Sequence, residues 1–84
     1  MDYQYRTKGT CSQLIDFSID ENGKLHNVKF TGGCNGNLKG ISSLVKGMKV
    51  DDAIDRLKGI KCGFKNTSCP DQLATALMQW KNNN

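Results

Sequence analysis

Apolar and polar residues alternate at the start of the chain. Tyr3 and Tyr5 fall between Asp2, Gln4 and Arg6, a period of two that predicts a short, half-exposed strand. Lys8-Gly9-Thr10 breaks it. The alternation returns from Leu14 to Ile19, with Ile15, Phe17 and Ile19 on one face and Asp16 and Ser18 on the other. Asp20-Glu21-Asn22-Gly23 is the strongest turn signal, and Asn-Gly between alternating runs predicts a two-residue type I′ hairpin. The third strand then runs from Lys24 to Phe30, with His26, Val28 and Phe30 on one face. In that register Glu21 faces Lys24, Phe17 faces Val28 and Ile15 faces Phe30. The last two are apolar pairs of the kind that hold a register. Extended to its open end, the same register sets Cys11 opposite Cys34.

Beyond Gly32-Gly33 the period lengthens to that of a helix. Leu38, Ile41, Leu44, Val45 and Met48 recur at helical spacing, predicting a helix from about Gly36 to Lys46 with Gly47 as its C-cap. Val50 to Leu57 is a second helix, with Val50, Ala53, Ile54 and Leu57 apolar, acidic residues in the first turn and Gly59 after the end. The third starts at Ser68. Ser68 followed by Asp71 is a capping-box pattern, and Pro70 is tolerated in a first turn because its missing N–H would be unpaired there. Leu73, Leu77 and Trp80, with Ala74 and Met78 beside them, form its apolar stripe, and the Leu and Met stripes are expected in the core. The order β-β-β-α-α-α predicts an α+β fold, a three-stranded antiparallel sheet with helices packed on one face, as a single domain over residues 1–84.

Composition narrows the classes. At 84 residues the chain buries about 60–65% of its unfolded surface, enough to fold with little margin. No apolar run approaches the ~20 residues of a membrane span. The polar start, MDYQYRTKGT, has no secretory pattern, which leads us to expect a cytoplasmic protein. A monomer or weak dimer is the expected state. The net charge of +4 is carried by scattered lysines, and the few aromatics are assigned to the core, so nucleic acid is not an expected partner.

The chemistry lies in the cysteines, Cys11, Cys34, Cys62 and Cys69. Cys34 and Cys69 each precede or begin a helix, where the dipole favours a thiolate. If the third helix starts at the hairpin's open end, Cys69 joins Cys11 and Cys34, and Cys62 is close enough on its loop to complete the set. Four thiolates with no open position suit a structural zinc site; iron or an iron–sulfur cluster is the alternative metal. Two disulfides, or unrelated buried thiols, remain open readings of the same residues. His26, near the hairpin turn and far from the cysteines, reads as an ordinary half-buried histidine.

The run Thr67-Ser68-Cys69-Pro70-Asp71, with Cys11, Gly32-Gly33-Cys34 and Cys62-Gly63, resembles the TSCPD domain over nearly the whole chain. TSCPD domains otherwise occur at the C-terminus of ribonucleotide-reductase-like proteins. The resemblance therefore implies a small metal-binding domain accessory to such a partner, or a thiol/disulfide redox accessory of ribonucleoside-diphosphate reduction. The chain is too short for the reductase barrel, so catalysis by it alone is not expected. A weaker resemblance, in the order of Cys11, the hairpin, Gly33-Cys34 and Ser68-Cys69, is to the IscU/NifU-type iron–sulfur scaffold. It implies an IscU-like arrangement and cysteines of a cluster site at Cys11, Cys34 and Cys69.

Overall fold

A computed structural model describes residues 2–10, 12–33, 35–61, 63 and 65–83. Three strands, β1 (Asp2–Arg6), β2 (Ser12–Ile19) and β3 (Leu25–Gly32), are followed by three helices, α1 (Asn35–Val45), α2 (Val50–Leu57) and α3 (Cys69–Asn82). The sheet is antiparallel in the order β1-β2-β3. The α+β class and the β-β-β-α-α-α order are those read from the period of the apolar residues. α2 has the expected bounds, and α3 begins directly after Ser68.

Ile15, Phe17 and Ile19 bury one face of β2, and Leu25 joins them from β3. Val45 of α1, Val50, Ala53 and Ile54 of α2, and Leu73, Ala76 and Leu77 of α3 complete a single apolar core. Ile15, Leu25, Leu73 and Leu77 are the largest side chains closed off completely. Burial of this kind contributes about 25 cal/mol per Å² of apolar surface, the main force holding helices to sheet.

The hairpin differs from expectation near its turn. Ile15 does face Phe30, but the turn-proximal pairs are Ile19 with Leu25 and Ser18 with His26. The loop is thus longer than Asn22-Gly23. Asp20 explains it, because its Oδ1 accepts from Asn22 N at 2.9 Å and Lys24 N at 3.0 Å, closing a side-chain-directed turn. The register recovers through a bulge in which Asn27 takes a left-handed φ of 54°, leaving Phe17 without Val28 as its direct partner. The extra residue also switches faces: Leu25, not His26, packs into the core with Val28 and Phe30. A second irregularity lies between Ser12 and Leu14 on β2, so Ser12 pairs with Gly32 where the ideal register has Gly33. The expected pairing of Cys11 with Cys34 falls outside the described residues.

Two stripe positions are not core. Leu44 is 77% exposed, because α1 turns Leu38 and Val45 inward instead, and Met78 also faces outward.

The helices run to and fro along the sheet. The α1–α2 connection is tied to the closing end of the hairpin, with Gly47 N donating to Leu25 O at 2.7 Å, Leu25 N to Met48 O at 2.9 Å and Val50 N to Gly23 O at 3.0 Å. α2 therefore starts at the closing end. α3 returns antiparallel to β1: near its start Gln72 meets Lys8, while Trp80 near its end packs edge-on against Tyr3, ring centroids 6.0 Å apart. The N-terminus of α3 thus lies at the end of the sheet where β2 begins and β3 ends.

Candidate functional site

The signature run Thr67 to Asp71 is held by a polar network. Ser68 Oγ accepts from Asp71 N at 3.1 Å, the N-cap bond, and donates to Ile60 O at 2.6 Å. Asp71 does not reach back to the cap residue as a capping box would. Its Oδ1 accepts from Gly59 N at 2.7 Å and its Oδ2 from the Thr67 hydroxyl. Both carboxylate oxygens thereby fasten the start of α3 to the residues that follow α2. Gln72 Nε2 donates to Thr67 Oγ1, and Gln72 Oε1 accepts from Lys8 N, each at 3.0 Å. Gly9 completes the contact with the β1–β2 loop. At φ +73° it sits where a Cβ would come within 3.2 Å of the Thr67 methyl.

Gln72 was not singled out from the sequence, although it lies on the same stripe of α3 as Ala76. A polar residue on the buried face of an amphipathic helix was the available signal.

This network positions Cys69, which is buried at the first turn of α3. It opens onto a groove of about 550 Å³. Thr10 of the β1–β2 loop, Gly36 and Ile41 of α1, and Ile60 and Lys61 of the α2–α3 connection face the same groove. The positive ends of α1 and α3 and the side chains of Lys61 and Lys65 border it, whereas no carboxylate or imidazole is among its described lining. Leu38, Ile41, Leu44, Ile60 and Pro70 make most of the lining apolar, and the two helix ends and the two lysines are its positive elements.

Of the four cysteines expected to form a site, Cys69 is placed at this groove. Cys11, Cys34 and Cys62 lie outside the described residues. Among the described residues no three His, Cys, Asp or Glu side chains gather as a metal-holding group. His26 stands at the opposite end of the sheet, half-buried, with Nε2 2.8 Å from Asp20 Oδ2. The Lys24 amide, then His26, hold the Asp20 carboxyl below its ordinary value. No helix among the described residues is long and apolar enough to cross a membrane.

Neither the curated proteins nor the solved structures gave a significant match to the chain. The model of the TSCPD domain, in contrast, matches residues 1–81, taking in every strand, all but the last residue of α3, and the signature network just described. By that match the chain belongs to the TSCPD domain family.

Proposed function

We propose that the chain is a small metal-binding domain that holds one zinc ion through Cys11, Cys34, Cys62 and Cys69. The observation that supports this reading is convergence at one end of the sheet. Thr10 and Lys61, the covalent neighbours of Cys11 and Cys62, line the same groove as Cys69. Gly36, two residues after Cys34, lines it as well. The donor chemistry fits: four thiolates, with no carboxylate or imidazole among the described lining of the groove, suit zinc better than magnesium or calcium. A closed tetrathiolate site supplies folding free energy and offers no position to a substrate.

Iron or an iron–sulfur cluster in the same thiolate set is the nearest variant of this reading. A ribonucleotide-reductase-like protein is the partner that the family association suggests, with the domain acting as its accessory.

The test is elemental analysis of protein purified anaerobically under reducing conditions. About one zinc per chain, lost on chelation and in Cys34→Ser and Cys69→Ser, is the expected result. Iron with acid-labile sulfide would transfer the site to a cluster. Absence of metal together with reversible disulfide formation would replace the proposal with the thiol/disulfide redox reading. Four titratable thiols and no metal would end it.

A further inference from the structure

Ser68 and Gln72 are the buried polar side chains among the described residues. Ser68 is accounted for as the cap of α3. The side-chain amide of Gln72 is not needed for the helix, since its own backbone N already donates to Ser68 O at 2.8 Å. Instead it bridges two segments far apart in the chain. Oε1 accepts from Lys8 N and Nε2 donates to Thr67 Oγ1. Lys8 is three residues before Cys11, and Gln72 is three residues after Cys69, so Gln72 and Cys69 share one side of α3. Gly9 packs against Thr67 beside this bridge.

We propose that Gln72 is a positioning residue for the four-cysteine site, fixing the Lys8–Thr10 arm that leads into Cys11 against the helix turn that carries Cys69. The inference rests on the zinc reading above. It assigns a role outside the five signature residues. A site's affinity depends on how well the surrounding bonds orient the donors before the metal arrives; losing a partner bonded directly to a ligand weakens metal binding about 10–100-fold, and Gln72, which acts one step further out through the Lys8 amide and the Thr67 hydroxyl, is assigned the lower end.

Zinc affinity is measured by competition with a chromophoric chelator for the unmutated protein, Gln72→Met and Leu77→Ala. Gln72→Met keeps the length of the side chain and removes the amide. Leu77→Ala lowers stability through the core without touching the arm. Gln72→Met should bind zinc about tenfold more weakly or worse, while Leu77→Ala, measured where it is folded, keeps the unmutated affinity. Gln72→Met with unmutated affinity would overturn the inference. So would an equal weakening in Leu77→Ala, since affinity would then only follow stability. A measurement on the unmutated protein covers the case in which Gln72→Met fails to fold. Zinc should slow hydrogen exchange at the Lys8 amide, because arm and site stabilise each other reciprocally. Exchange at Lys8 indifferent to zinc would refute the coupling. An unmutated chain that takes up no zinc overturns the zinc reading and this inference with it; binding that ignores Gln72→Met overturns the inference alone.

Discussion

Leu77→Ala and Leu44→Ala remove the same atoms from two helices of one protein and should differ several-fold in cost. Leu77 is fully closed off between α3 and the sheet, whereas Leu44 is 77% exposed on α1. Truncating a buried leucine loses its transfer free energy and leaves a cavity, together about 2–5 kcal/mol. The better helix propensity of alanine returns only a few tenths of a kcal/mol. A domain of this size has roughly 4–13 kcal/mol of total stability, so the loss at Leu77 is a large share of it. At about 4–8 °C per kcal/mol, the midpoint should fall by roughly 8–40 °C. Leu44→Ala should stay within about 0.5 kcal/mol of the unmutated chain. Urea titration followed by Trp80 fluorescence suits the question. Trp80 is the only tryptophan and lies on α3 against Tyr3, so its signal reports undocking of the helix that carries Leu77. Metal content must be matched between samples, because a bound ion adds its own stabilisation. A loss below about 0.5 kcal/mol at Leu77, or equal losses at the two sites, would show that α3 is not docked as described.

Ser68→Ala removes both the acceptor for Asp71 N and the donor to Ile60 O, and should cost about 1–2 kcal/mol in the same titration; no change would deny the cap its structural role. Gly9→Ala should lose about 1–2 kcal/mol, because a side chain at φ +73° is strained and its Cβ meets the Thr67 methyl; an unchanged midpoint would contradict the close packing of that loop. Asp20 has a folded pKa below its unfolded one, so its contribution is present above the ordinary carboxylate range and is lost as pH falls through the folded value. Asp20→Asn should therefore be less stable than the unmutated chain at neutral pH, with the gap narrowing on acidification. A gap independent of pH would remove the charge from the explanation.

The helices were legible because their signals are local. The 3.6 period of Val50 to Leu57 and the Ser68 cap mark their elements without reference to the rest of the chain. The hairpin was legible as a hairpin but not in detail. Asn27 in a left-handed conformation flips the strand's parity, and nothing in the alternation of neighbouring side chains announces it. Period-two counting therefore put His26 on the core face that Leu25 occupies. Leu44 was misjudged for a related reason: a helix spacing names a stripe wide enough for several leucines, and only packing decides which edge of it meets the core. The arrangement around Cys69 was legible in its cap and its cysteine, whereas the Gln72 bridge joins positions 64 residues apart, beyond the reach of any local pattern. Cys11, Cys34 and Cys62 lie outside the described residues; Thr10, Gly36 and Lys61, near them in the chain, line the groove beside Cys69.

The hydrogen bonds that stitch the α1–α2 connection to the hairpin have a consequence for how the molecule opens. Leu25 both accepts from Gly47 N and donates to Met48 O, and Gly23 O receives Val50 N, so the connection behaves as a short extra rung on the sheet. Lys24 and Lys49 form a further bridge between the two segments. α2 cannot swing away without uncapping the hairpin at its turn. Turn, connection and first turn of α2 thus form one cooperative unit. The amides of Leu25, Gly47 and Val50 should exchange with solvent at a common free energy, while the opposite end of the sheet, where α3 begins, opens separately.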